Sequence, residues 1–192
     1  MGKIDFGNAF SKGWRGFSAN VGILVLGALL AGLISFTIIL APIMAAGMFY
    51  MCLKSVRGQK VEVGDVFVGF SDFGRFFVGG LLMIAVVFVG LLACCIGVFA
   101  SAAIGLFFWP HMVDKGKNPG DALGDCWRFF KSDWLMAILF ALVSGIVAIS
   151  GYIVFVFGVF LTLPFAWCTV AAAYDDVFSV GAAPAVAQPI EA

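Results

Sequence analysis

The chain has 192 residues, 63% of them hydrophobic and 11% charged, with no net charge and a mean hydropathy of +1.11. A soluble domain is about half apolar and a quarter charged, and one of this size still leaves much of its surface in water. That composition excludes a soluble enzyme and a disordered chain, and the missing basic field excludes a nucleic-acid partner.

The first predicted element is a short amphipathic helix at the membrane interface. Phe6, Phe10, Trp14 and Phe17 recur at helical spacing, while Asp5, Asn8, Lys12 and Arg15 fall elsewhere. Aromatic faces with cationic flanks suit an interfacial helix, and they equally suit packing on the ends of the chain's own spans. A run without Asp, Glu, Lys or Arg follows, Gly16–Leu53, broken at Ala41-Pro42, where proline favours a bend. The first apolar stretch, from Val21, outruns a signal peptide core of about 7–15 residues, so Met1 onward reads as mature protein.

A second polar-aromatic segment places Val63, Phe67, Phe70 and Phe77 on one side. The charge-free run Phe76–Val113 comes next, with Cys95-Ile96-Gly97 as its expected turn and Pro110 as a kink. The third segment opens on Asn118-Pro119, an N-cap followed by proline in the first turn. It carries Leu123, Trp127, Phe130 and Trp134 as its apolar stripe. The last run, Trp134–Tyr174, offers Gly151 and Gly158 for a turn and Pro164 for a kink.

These runs hold 38, 38 and 41 residues. A straight helix of that length would reach about 57 Å, against a hydrocarbon core of about 30 Å. Two crossings per run bring all basic clusters (3–15, 54–75 and 115–131) to one side, which the positive-inside rule makes cytoplasmic. The expected architecture is an all-α integral membrane fold of about six transmembrane helices, with five spans or shallow re-entrant hairpins as the alternatives. The six form three hairpins, with short amphipathic helices and both termini on the cytoplasmic face.

The segments also resemble one another. Gly7-Asn8-Ala9-Phe10 with Trp14-Arg15 returns as Gly120-Asp121-Ala122-Leu123 with Trp127-Arg128, and Gly64-Asp65-Val66-Phe67 lies between them. Gly47-Met48-Phe49-Tyr50 up to Gly58 resembles Gly105-Leu106-Phe107-Phe108 up to Gly116. The expected organisation is one membrane domain, 1–176, of three repeats at about 4–60, 61–117 and 118–176. Residues 177–192 form a flexible tail.

Candidate chemistry is sparse. His111 reads as an interfacial hydrogen-bonding residue, and a lone histidine does not make a zinc site. The cysteines at 52, 94, 95, 126 and 168 lack CxxC spacing and read as small apolar filler. Acids such as Asp65, Asp114, Asp121 and Asp125 read as helix caps and local ion-pair partners. No catalytic residue, cofactor site or metal site is assigned. Four-residue pairs of small residues, such as Gly27-Ala31 and Ala141-Gly145, suit close helix packing or self-association.

Val113-Asp114-Lys115-Gly116, then Gly120-Asp121-Ala122-Leu123 and Trp127, resembles a recurring element of uncharacterised bacterial multi-pass membrane families. Some of these are labelled glycerophosphoryl diester phosphodiesterase membrane domain. The resemblance implies a bacterial inner-membrane protein of about six helices and no catalytic residues. The functional expectation is a non-enzymatic membrane protein that organises lipid or serves as an accessory subunit. Its partners would be membrane lipids, a membrane-protein complex or a second copy of itself. A small-solute transporter or channel without ion-coupling charges is the alternative.

Overall fold

The computed structural model describes residues 4–35, 40–92, 94–154 and 158–178, and side chains at all of these except 94–96 and 152–154. Among the described residues the secondary structure is helical and no strand occurs. The chain runs α1 (Phe6–Ala19), α2 (Val21–Ser35), α3 (Ala41–Val56), a 3-10 helix (Val63–Phe70), α4 (Phe73–Leu92) and α5 (Cys94–Gly105). It continues with α6 (Phe108–Asp114), α7 (Pro119–Ser132), α8 (Trp134–Val154) and α9 (Val159–Phe178).

Local chemistry sets the boundaries. The Asp5 carboxylate accepts from the Asn8 N–H at 3.1 Å and caps α1. Asn118 takes the extended N-cap conformation before Pro119, as expected, but its side chain makes no cap bond; its carbonyl accepts from Ala122 instead. In the 3-10 helix the Asp65 carboxylate accepts from the Glu62 N–H at 2.8 Å and from Lys54 Nζ at 2.7 Å. With three residues per turn, Phe67 and Phe70 eclipse on one side. Ser71 and Asp72 then form a turn, so the stripe expected to continue through Phe77 is cut there and Phe77 belongs to α4. Helices α3 and α6 end alike. Gly58 (φ +68°) and Gly116 (φ +57°) take the left-handed conformation that glycine adopts without steric cost and that stops a helix.

The expectation of six crossings is corrected. Among the described residues three stretches are long and apolar enough to cross a membrane: Phe73–Leu92, Gly97–Asp114 and Trp134–Gly151. The count reaches four only if α1 and α2, bent by 89°, are taken as one span. Helix α2 has 15 residues and reaches about 22 Å, short of the hydrocarbon thickness of about 30 Å. Helix α3 has 16 residues, and Ile43, Met44, Met48, Met51 and Leu53 on it are sealed from the surface. Helix α9 holds Pro164, Asp175 and Asp176, and its second half is packed inside the protein. Helix α3 lacks charge in its middle because protein surrounds it, whereas α2 keeps Leu26, Leu29 and Leu33 exposed. A charge-free run in the sequence does not distinguish burial in protein from burial in lipid.

The short elements lie across the long ones at glycines. A Cβ on Gly13 of α1 would come within 2.7 Å of the Thr169 Cα on α9, and one on Gly47 of α3 would fall on the Val66 carbonyl of the 3-10 helix. Two pairs of arms meet the same way near their reversals. Gly90 of α4 faces the Gly97 carbonyl of α5, and Gly151 of α8 faces the Gly158 carbonyl just before α9.

Candidate functional site

The described structure gathers several buried polar side chains where α3, α6 and α9 end. Arg57 caps α3, Asp114 closes α6, and Tyr174 and Asp175 lie in the last turns of α9. Arg57 Nη1 donates to Asp114 Oδ1 at 2.6 Å and Arg57 Nε donates to Asp175 Oδ1 at 2.8 Å. The Arg57 and Asp114 side chains are 2% and 3% exposed, and Asp175 is 12% exposed. A planar guanidinium with donors on two edges suits two carboxylates from different helices. Burial works against the arginine charge, but the hydrogen bonds and charges of Asp114, then of Asp175, outweigh it and hold its pKa above the ordinary value.

The network continues inward. The Tyr174 hydroxyl donates to Asp114 Oδ2 at 3.2 Å and lies 3.2 Å from His111 Nδ1. Because that hydroxyl gives its one proton to Asp114, a hydrogen bond with His111 needs a proton on the imidazole Nδ1. His111 lies one turn before Asp114 on α6 and packs edge-on against Tyr174 and Phe178, at centroid distances of 4.9 and 4.5 Å. It is 1% exposed, so the interfacial residue expected from the sequence is a core residue. Phe178 continues α9 beyond the expected start of a tail and also meets Phe107 and Phe129; residues 179–192 lie outside the described residues.

This arrangement is an ionic staple. Two carboxylates converge, but both are engaged by one arginine and shielded from solvent, which leaves neither oriented toward a substrate. Among the described residues no group of three or more His, Cys, Asp or Glu side chains is placed to hold a metal ion. Further ion pairs draw the polar segments to the same end. Lys12 of α1 bonds Asp176 of α9, and Lys117 and Arg128 both bond Asp125 of α7. Asn20 bonds Ser55 at 2.8 Å, and Ser55 bonds the Gly16 carbonyl at 2.6 Å.

The ten aromatic and apolar positions expected at the membrane interface divide into two groups. On α1, Phe6 and Phe10 meet Phe140 of α8 edge-on at 5.4 and 6.4 Å. Phe10, Trp14 and Phe17 surround Phe165 of α9 at 6.2, 5.5 and 5.9 Å. That stripe is an internal seam from which Trp14 alone is largely exposed. Phe67 and Phe70, 6.1 Å apart, are exposed on the 3-10 helix. Trp127 and Trp134 are exposed, Trp127 stacks on Phe130 at 6.0 Å, and Leu123 and Phe130 are half-buried.

The expected turns and kinks also divide. Pro42 sits in the first turn of α3 and seats its ring on Gly80 of α4. Gly97 lies inside α5 and makes no turn there; residue 93, between α4 and α5, lies outside the described residues. Gly158 directly precedes α9, next to the undescribed 155–157. Pro164 lies within α9, which is helical on both sides of it. Pro110 follows a break at Leu106-Phe107, where a proline four residues on denies the Leu106 carbonyl its donor.

Sequence reasoning missed Arg57, Tyr174 and Asp175. The available signal was position, since Arg57 directly precedes a helix-ending glycine and Asp114 and Asp175 close the later apolar runs. No family model, curated protein or solved structure matches the chain.

Proposed function

We propose that this is a non-enzymatic integral membrane protein of the bacterial inner membrane, one that organises lipid or serves as an accessory subunit of a membrane complex. The observation that carries the reading is a pair of outward apolar stripes. Leu81, Ile84, Phe88 and Leu92 on α4, and Leu135, Leu139, Leu142, Ile146 and Ile149 on α8, are all exposed at helical spacing. Such continuous apolar surface needs lipid or a protein partner to cover it. The stripes adjoin an end rich in Trp, Phe, Lys and Arg, which under the positive-inside rule faces the cytoplasm. The resemblance carried by Val113–Gly116, Gly120–Leu123 and Trp127 supports the same membrane.

The three-unit organisation is part of the proposal. In the second unit Gly90 meets Gly97 and Ser101; in the third, Gly151 meets Gly158 and Thr162. The spacing is identical, and Asp114 and Asp175 then follow at one further common spacing. Related positions thus make related contacts, which supports a repeat.

The test is reconstitution into vesicles with a lipid-order probe and imaging, alongside pull-down from native membranes. Altered order or shape, or a stably copurifying membrane protein, is expected; neither result appearing rejects the proposal. A small-solute transporter or channel fits the geometry less well. The groove of about 500 Å³ between α3 and α4, lined by Pro42, Met83, Ile84, Phe88 and Trp109, is apolar and suits an acyl chain better than a hydrated solute.

A further inference from the structure

The geometry points to a phospholipid site between α4, α5 and α7, selective for a headgroup that carries both a phosphate and an ammonium. The inference rests on the lipid-organising reading above and names the lipid class. An apolar groove of about 680 Å³ runs from Gly90 and Gly97, near the reversal of the second unit, back past Val86 and Ile104. It ends against Leu123 and Trp127 of α7. On the other side of α7 lies a pocket of about 520 Å³ lined by Lys117, Asp121, Asp125 and Arg128. Gly120 and Gly124 line both spaces, so the apolar groove and the charged pocket meet over a stretch of α7 bare of side chains.

The occupant follows from that pairing. The groove offers hydrocarbon-like walls to an acyl chain, and exposed Trp127 stands at its mouth, where an indole favours the headgroup boundary. The pocket contributes two cations and two carboxylates and is formally neutral, so a purely anionic headgroup gains no net attraction from it. Lys117 and Arg128 already share Asp125, yet Arg128 remains 72% exposed and Lys117 33% exposed, with donors left for a phosphate. Asp121 is exposed and makes no ion pair among the described residues, which leaves its carboxylate for an ammonium. A phosphoethanolamine headgroup supplies both charges. Phosphocholine has the same charge but cannot donate a hydrogen bond to Asp121, and phosphoglycerol has no cation.

The experiment is native mass spectrometry of the detergent-purified full chain, titrated separately with phosphatidylethanolamine, phosphatidylcholine and phosphatidylglycerol. The wild type is expected to retain the ethanolamine lipid at least about fivefold better than either other lipid. Gly124→Leu fills the junction. A Cβ there meets nothing within 4 Å, so helix content and thermal stability should persist while retention falls about tenfold. Asp121→Asn should abolish the preference over phosphatidylglycerol without weakening overall retention. Equal or better retention of phosphatidylglycerol by the wild type overturns the inference, as does unchanged retention in Gly124→Leu. A wild type that alters vesicle order but shows no such retention loses this site alone. A wild type that does neither and has no membrane partner loses the functional proposal as well.

Discussion

Arg57 shows how much one side chain can hold. It is the shared partner of Asp114 and Asp175, and removing it would leave two carboxylates in a space closed to water. Breaking a buried ion pair in this way costs about 3–5 kcal/mol, whereas removing every charge together is often neutral. Arg57→Met should therefore lower unfolding stability by that amount in a denaturant titration in micelles. The triple change Arg57→Met, Asp114→Asn, Asp175→Asn should recover most of the loss. A single substitution as mild as the triple one would show that the staple is not under strain from burial. Gly47 gives a second residue-scale outcome. Gly47→Ala drives a methyl onto the Val66 carbonyl and should be clearly destabilising, while Gly74→Ala, where a Cβ meets nothing within 4 Å, should stabilise α4 by about 0.5–1 kcal/mol in the same titration.

Among elements, α7 depends most on charge. Burial alone would raise the Asp125 carboxyl, but hydrogen bonds from Lys117 and Arg128 outweigh it and hold the group below the usual carboxylate range. A carboxyl with a depressed folded-state pKa stabilises fully above its unfolded pKa and loses that contribution as pH falls through the folded one. Amide protection along α7 should then be constant from neutrality to about pH 4 and drop below it. Asp125→Asn should remove that acid step in hydrogen-exchange measurements. The existence of α7 and α1 was legible in the sequence, because Phe, Trp and Leu at steps of three and four admit one helical face. Where that face points was not legible. Phe6, Phe10 and Phe17 turn inward onto Phe140 and Phe165, while Trp127 turns outward, and no local pattern separates the two. The middle segment, Val63–Phe70, shares the Phe residues but has no Trp, Lys or Arg, and it winds as a 3-10 helix, pinned by Asp65 to Glu62 and Lys54.

For the whole molecule, the all-helical character was the sound part of the sequence reading, and counting crossings was the weak part. Lys12, Arg57, Asp114 and Asp175 belong to segments far apart in the chain, and the ion pairs bring these to one end. Cysteines placed at Ser11, Lys60 and Lys131, in a background with the native cysteines replaced, should all react with an impermeant reagent from the same side. Opposite labelling at Lys60 would break the proposed topology. The six-helix count failed at α3, whose Met44, Met48 and Met51 are sealed by neighbouring helices. Hydropathy measures dislike of water and treats a neighbouring helix and a lipid tail alike. The staple escaped notice for a related reason, since charges that end an apolar run look the same whether they face water or one another.

The Arg57 staple also imposes an order on biosynthesis. The ribosome delivers the guanidinium first, its first carboxylate 57 residues later and its second only when α9 is nearly finished. Until then the nascent chain holds Arg57 with one of its two carboxylate partners missing. A product truncated before Tyr174 lacks Asp175 and keeps the staple open on that side.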